Sequence, residues 1–171
     1  MKNGKLIAVS AISSALGVVF LIIGAYFQTL DLSCLFTASL TVTFPLSKNS
    51  VKGAFLSYLS TAILALIFTI SRFYVPLLFL VFFGLHPILN YLQFKDGKNL
   101  WFLYIIKCVL FLASCYLMVF AFSMFTFESE IVIKILPYLV GILGVLFFVV
   151  YDYIMVKFQR MTNQVIKRLG L

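Results

Sequence analysis

The sequence predicts an all-α membrane protein, a compact bundle of about six transmembrane helices. Of its 171 residues, 64% are hydrophobic and 11% are charged. A soluble domain of this length needs more charge to cover its surface, so many of these apolar side chains must face lipid. The apolar residues also form runs near the ~20 residues that cross a bilayer, separated by short polar breaks. We therefore expect one transmembrane domain over residues 1–171, with no soluble domain attached.

Six apolar runs are the predicted spans. They cover residues 6–27, 32–46, 51–70, 74–94, 100–125 and 131–156. The first is longer than the apolar core of a signal peptide and is therefore assigned as a span. The second is short and rich in Ser and Thr, so we expect it to be buried by its neighbours or partly re-entrant. Residues 157–171 are expected to extend the last helix as a basic amphipathic tail.

Basic residues concentrate on one side of these spans. With the amino terminus inside, the cytoplasmic side holds Lys2, Lys5, Lys48, Lys52, Lys95, Lys98, Lys157, Arg160, Lys167 and Arg168. The outer side holds only Arg72 and Lys134. Because short cytoplasmic loops carry the excess of Lys and Arg, both termini are predicted to be cytoplasmic. The net charge of +8 is then a topology signal, and nucleic acid is not an expected partner.

Signatures of catalysis and of nucleotide binding are missing from the sequence. There is no GxSxG, no HExxH and no GxxxxGK[ST] pattern. The three cysteines, Cys34, Cys108 and Cys115, lie in apolar runs without a CxxC pair, which favours small buried side chains over a metal site or disulfides. We expect the chain not to be an enzyme and to hold no cofactor or metal of its own.

Two groups of polar residues are candidates for function. At the outer face, a captured ligand would meet Gln28, Asp31, Arg72, Tyr74, Glu128 and Lys134, unless these side chains are simply solvated. Inside the spans, His86, Lys107 and Asp152 fall at similar depth, so Lys107 and Asp152 could pair with His86 nearby. A structural pair, snorkelling of Lys107 to the interface, and a role in transport or proton movement all stay open.

The first span carries a stripe of small residues. Ser10 and Ser14 lie one turn apart, as do Ala11 and Ala15, and Ala8 precedes them on the same helix. Small residues at this spacing let another helix approach the backbone closely. This face either packs within the bundle or docks a separate membrane subunit.

In its length, its six spans, its cytoplasmic ends, its basic tail and its Ala11-x-x-x-Ala15 motif, the chain resembles the substrate-binding S component of energy-coupling factor (ECF) transporters. The resemblance implies a vitamin or similar micronutrient bound at the outer face of a bacterial cell membrane. It also implies a transmembrane coupling subunit and two cytoplasmic ATPases as partners, so that ATP is used by the partners. The coupling subunit would dock on Ala8, Ala11 and Ala15.

The resemblance does not name the ligand. The chain matches no riboflavin, thiamine, biotin or folate subtype. It also lacks the amino-terminal histidine arrangement of nickel and cobalt types, because His86 is its only histidine.

Two other interpretations stay open. One is a small polytopic scaffold, such as the rod-shape membrane protein of the cell-wall elongation complex, which binds protein partners and no vitamin. The other is a stand-alone carrier in which His86, Lys107 and Asp152 couple proton movement to cargo.

Overall fold

Helices account for nearly all of the described chain. The computed structural model describes residues 2–27, 29–94, 101–126 and 130–168, with side chains outside 2–3, 120–137 and 166–167. Its helices are α1 (Lys2–Tyr26), α2 (Asp31–Thr41), α3 (Thr43–Ser47), α4 (Val51–Phe68), a 3-10 turn (Ile70–Arg72), α5 (Tyr74–Leu78), a π turn (Phe79–Phe83), α6 (His86–Gln93), α7 (Trp101–Thr126) and α8 (Glu130–Arg168). No strand occurs within these ranges, and the predicted all-helical fold is confirmed.

Five helical stretches in the described ranges are long and apolar enough to cross a membrane. They are Gly4–Tyr26, Val51–Phe68, Tyr74–Gln93, Trp101–Val119 and Tyr138–Val165. Each overlaps one of the six predicted spans. Their outer faces expose large apolar side chains such as Trp101, Ile142 and Phe147, a surface that suits lipid rather than water.

The second predicted span is divided into α2 and α3, which are each too short to count as a membrane helix. Half of their side chains are buried against the rest of the bundle. The pair runs antiparallel to α1, because Cys34 lies against Gly24 and the Ser13 hydroxyl donates to the Thr41 carbonyl over 2.6 Å. This segment is therefore covered by its neighbours and follows α1 towards its amino-terminal end.

The fourth span is interrupted by a π turn between α5 and α6. The turn at Phe79–Phe83 is closed by a backbone hydrogen bond from Gly84. Pro87, in the first turn of α6, has no N–H for the carbonyl one turn earlier, and helices commonly widen at such breaks. The Tyr58 hydroxyl of α4 donates to the Leu80 carbonyl over 2.8 Å, and a Cβ at Gly84 would collide with the Tyr58 ring. The π turn thus sets the point where α6 begins.

The amino-terminal part of α1 and the carboxyl-terminal part of α8 lie at the same end of the bundle. Gly53, at the start of α4, lies against Leu6 of α1. Asn49 accepts a hydrogen bond from Tyr91 and lines one cavity together with Asn163 of α8. Exposed basic residues on the elements that meet here are Lys5, Lys48, Lys52, Lys157, Arg160 and Arg168. We call this the basic end and the opposite one the far end.

Helix α8 is the longest element. Its 39 residues make it about 58 Å long at 1.5 Å per residue, roughly twice the hydrocarbon thickness of a bilayer. It continues without a break through Lys157 to Arg168. One helix therefore contributes both to the interior of the bundle and to the basic end.

Candidate functional site

A closed ring of four hydrogen-bonded polar side chains lies inside the bundle. His86 and Asn90 stand one turn apart on α6, Lys107 belongs to α7 and Asp152 to α8. Lys107 Nζ lies 2.5 Å from Asp152 Oδ1 and 2.6 Å from Asn90 Oδ1. His86 Nε2 lies 2.9 Å from Asp152 Oδ1, and Asn90 Nδ2 lies 3.4 Å from His86 Nδ1. Each of the four residues is less than 9% exposed, and we call them the polar ring.

One arrangement of protons satisfies every bond in the polar ring. Lys107 can only donate, so Asn90 Oδ1 and Asp152 Oδ1 both accept from it. The Asn90 amide then donates to His86 Nδ1, which leaves His86 Nε2–H to donate to Asp152. The ring consists of an ion pair and a neutral histidine, without net charge. That balance is what a low-dielectric interior requires of buried ionisable groups.

Aromatic side chains cover the polar ring on its far-end side. The rings of Phe82, Phe111 and Tyr151 have centroids 5.1, 5.4 and 6.1 Å apart in the three pairs. Tyr151 also packs edge-on against His86, at 4.9 Å between centroids. This aromatic layer, Phe82, Phe111 and Tyr151, separates the polar ring from the far half of the bundle.

Beyond the aromatic layer is an apolar cavity of about 640 Å³ between α2, the π turn, α7 and α8, and it is open at the surface, where Leu143 and Phe147 are exposed. Phe111 and Tyr151 belong to both the layer and the cavity wall, and the other walls include Phe36, Cys115 and Leu143. Its volume lies within the range of about 300–1,000 Å³ that small-molecule sites occupy.

Two buried hydroxyls lie close together near this cavity. Ser39 and Tyr151 are neighbours, but neither hydroxyl has a hydrogen bond of normal geometry within the described structure. Tyr151 also lines the cavity. Both hydroxyl oxygens are buried, and Ser39 does not line the cavity, so they form a polar spot behind its wall.

A second cavity, of about 310 Å³, opens at the basic end and is polar. Its walls include Asn49, Asn90, Gln159, Arg160 and Asn163. Asn90 is also a member of the polar ring. The polar ring and the aromatic layer therefore lie between a polar cavity at one end and an apolar cavity towards the other.

The serines of α1 pack inside the bundle. The Ser13 hydroxyl lies 2.7 Å from the Ser57 hydroxyl, in addition to its bond to the Thr41 carbonyl. The Ser14 hydroxyl lies 2.7 Å from the Ser60 hydroxyl. Ser13 and Ser14 therefore pack α1 against α2 and α4.

The alanines of the same stripe face outwards. Ala8, Ala11 and Ala15 are exposed. Ala11 and Ala15 line a groove of about 630 Å³ between α1 and α4. Ser10 also borders this groove, and its buried hydroxyl has no partner in the described part of the chain. The structure thus uses Ser14 for hydrogen bonds to α4 and leaves Ala8, Ala11 and Ala15 exposed.

Two of the predicted outer-face residues are engaged in local contacts. Arg72 Nη1 donates to the Ala25 carbonyl over 3.2 Å, and its guanidinium lies 6.0 Å from the Tyr26 ring centroid. Asp31 accepts from the backbone N–H of Leu32 over 2.6 Å. Both therefore support helix ends at the far end.

Of the other predicted outer-face residues, the structure describes the side chain of Tyr74 alone. Tyr74 is half-buried at the start of α5. Gln28 and Glu128 lie outside the described residues, as does the side chain of Lys134.

Sequence reasoning placed His86, Lys107 and Asp152 together but missed Asn90 and Tyr151. Asn90 could have been found, because it lies four residues after His86 and so shares a helix face with it. Tyr151 contacts His86 across two helices, and no local pattern indicates such a contact.

No protein-family model, curated protein or solved structure matches the chain. The fold and the site define it as an all-helical protein with several helices of membrane-spanning length and a buried polar ring.

Proposed function

We propose that the chain is the substrate-capturing membrane subunit of an ECF-type importer, which binds a small micronutrient and docks a coupling subunit through α1. The apolar cavity carries this proposal. It is large enough for a small molecule, and it lies on the side of the polar ring away from the basic end. A scaffold that binds only proteins has no need for such a cavity.

The proposed orientation of the chain in the membrane follows from the distribution of its Lys and Arg residues. Exposed Lys and Arg concentrate at the basic end, which favours a cytoplasmic position for that end. The cavity then opens in the outer half of the bundle, where a substrate would arrive. We propose that α2 and α3 together form the remaining crossing, so that six crossings of a bacterial cell membrane leave both termini inside.

The cavity lining indicates the character of the ligand. Its walls are almost entirely apolar, with Phe36, Phe83 and Phe147 among them. Tyr151 is the one wall residue with a hydroxyl, and that hydroxyl oxygen is buried. We expect a ligand with an apolar or aromatic body.

The alanine face of α1 is the proposed docking surface. Ala8, Ala11 and Ala15 are exposed. Beside them runs a groove whose walls include small residues such as Ala11, Ala15 and Gly53. Such a surface accepts a helix of another membrane subunit at close distance. Two cytoplasmic ATPases bound to that subunit would use ATP, and this chain would need no cofactor.

Purification from the native membrane in mild detergent tests the proposal, with mass spectrometry of the proteins and small molecules recovered. We expect a coupling subunit, two ATPases and one enriched small molecule. Ala11→Trp should abolish recovery of the partners and keep the small molecule. Ile63→Trp places the same bulk on an exposed site of α4 outside the groove, and it should keep both.

A matched pair of variants tests the cavity. Leu143→Trp fills it and should abolish recovery of the small molecule while the partner proteins stay bound. Leu146→Trp changes an exposed residue of the same helix that does not line the cavity, and should have no effect. Recovery of cell-wall synthesis proteins without an ATPase would contradict the proposal and favour a scaffold.

A stand-alone proton-coupled carrier is the second candidate, favoured by the position of the polar ring between two cavities. Its test is uptake into vesicles that contain the purified chain alone. Uptake that an uncoupler abolishes would support the carrier and contradict the ECF proposal.

A further inference from the structure

The polar cavity at the basic end differs from the apolar cavity in the hydrogen-bonding groups of its walls, which also include Tyr91, Phe94 and Val156. Four carboxamides and one guanidinium face or border its volume of about 310 Å³, from Asn49, Asn90, Gln159, Asn163 and Arg160. These groups are donors of the kind that bind oxyanions. The ECF-type function proposed above does not use this cavity.

The charge around the polar cavity is positive. Arg160 is exposed, and no described carboxylate lies within ion-pair distance of it, because both ion pairs in the described part use Asp152. Lys48 precedes Asn49 in the chain, and Lys157 lies one turn before Arg160 on α8. An anion is therefore favoured over a cation or a neutral ligand.

The carboxamides have hydrogen-bonding capacity left for a ligand. Asn49 Oδ1 accepts from Tyr91, which leaves the Asn49 amide hydrogens to donate. Asn163 Oδ1 is buried without a partner in the described structure. The Asn163 side chain is also one of the cavity walls. Gln159 is held by its bond to the Pro87 carbonyl over 3.1 Å, so the wall is preorganised.

Apolar side chains flank Arg160 on α8. Phe158 is 43% exposed and Met161 is 52% exposed. Phe94 packs under the guanidinium, and the distance from Arg160 Cζ to the Phe94 ring centroid is 6.0 Å. A charged group in the cavity with exposed apolar surface beside it matches a lipid, whose headgroup is anionic and whose chains are apolar.

We propose that the polar cavity binds a phosphate group, carried by the headgroup of an anionic membrane lipid. Arg160 supplies the charge, and Asn49 and Asn163 supply neutral donors. The inference stands apart from the proposed function, since it uses neither the apolar cavity nor the alanine face.

Thermal unfolding of the purified full chain in detergent, titrated with short-chain phosphatidylglycerol, tests this site. We expect a saturable rise in Tm, and none with the diacylglycerol of the same chains, which lacks the phosphate. Arg160→Gln should weaken the apparent affinity about tenfold or more, because a charge-assisted bond is lost. Lys157→Gln removes the same charge from an exposed site that does not line the cavity. It should change the apparent affinity less than about threefold.

Inorganic phosphate serves as the soluble arm. A saturable rise in Tm with inorganic phosphate that Arg160→Gln abolishes would support the phosphate site and show that a lipid is not needed. Equal losses in Arg160→Gln and Lys157→Gln would overturn the proposal, because they indicate general surface electrostatics. The absence of any saturable response to either probe would also overturn it.

Discussion

Asp152 accepts hydrogen bonds from Lys107 and His86 at one carboxylate oxygen in the interior of the bundle. Each partner comes from a different helix, so one carboxylate links α6, α7 and α8. The shared depth of these residues along their helices was visible in the sequence, and so was their chemistry. The closure of the ring through Asn90 was not predicted, because it depends on how closely α6 and α7 approach.

Removal of one charge from the polar ring should destabilise the fold. Asp152→Asn leaves the Lys107 ammonium buried without its counter-charge, at an expected cost of about 3–5 kcal/mol in the free energy of unfolding. Lys107→Met should cost a similar amount, because it leaves the Asp152 carboxylate buried without its counter-charge. Denaturant unfolding in detergent, followed by helicity, measures both.

The double variant Lys107→Met with Asp152→Leu separates structure from function. It replaces the pair by apolar groups, so it should be more stable than either single variant. A double variant that folds yet fails to capture substrate would assign the polar ring a functional role. A double variant less stable than both singles would contradict the ion-pair account.

Among the helices, the break in the fourth span fixes where α6 begins, and α6 carries His86 and Asn90 of the polar ring. The apolar run at residues 74–94 predicted a membrane span, and it contains Pro76 and Pro87, residues at which helices commonly bend. The form of the bend was not predictable, because it depends on the Tyr58 ring of another helix beside Gly84. The division of the second span had a local signal in its short length, but its burial depends on the packing of α1 and α4.

Gly84→Ala tests the packing at the π turn. The added methyl group collides with the Tyr58 ring, so we expect a loss of about 1–3 kcal/mol in the free energy of unfolding. Gly4→Ala is the matched control, since a Cβ there meets nothing within 4 Å in an exposed helix. It should stabilise the protein slightly, by up to about 1 kcal/mol. Equal effects of the two substitutions would contradict the packing argument.

The whole molecule has two ends of different charge, and the sequence predicted this difference from its Lys and Arg distribution. The two cavities were not predicted, since they arise from distances between helices that have no local pattern. Their positions on either side of the polar ring follow only from the assembled bundle.

Labelling of single cysteines in intact cells tests how the whole chain crosses the membrane. In a variant without Cys34, Cys108 and Cys115, Thr29→Cys at the far end should react with an impermeant maleimide. Lys48→Cys at the basic end should react only after permeabilisation, because the proposed crossing by α2 and α3 lies between residues 29 and 48. Reaction of both sites from one side would contradict the proposed crossing and make this segment re-entrant.

The ion pair between Lys107 and Asp152 also has a consequence for biosynthesis. A single Lys or Asp near the centre of a membrane helix costs about 2.5–3.5 kcal/mol on insertion. Helices α7 and α8 each carry one of these charges, and they are consecutive in the chain. If each helix left the translocon alone, it would bring an uncompensated charge into lipid. The two helices are therefore expected to enter the bilayer as a hairpin whose charges meet before lipid surrounds them.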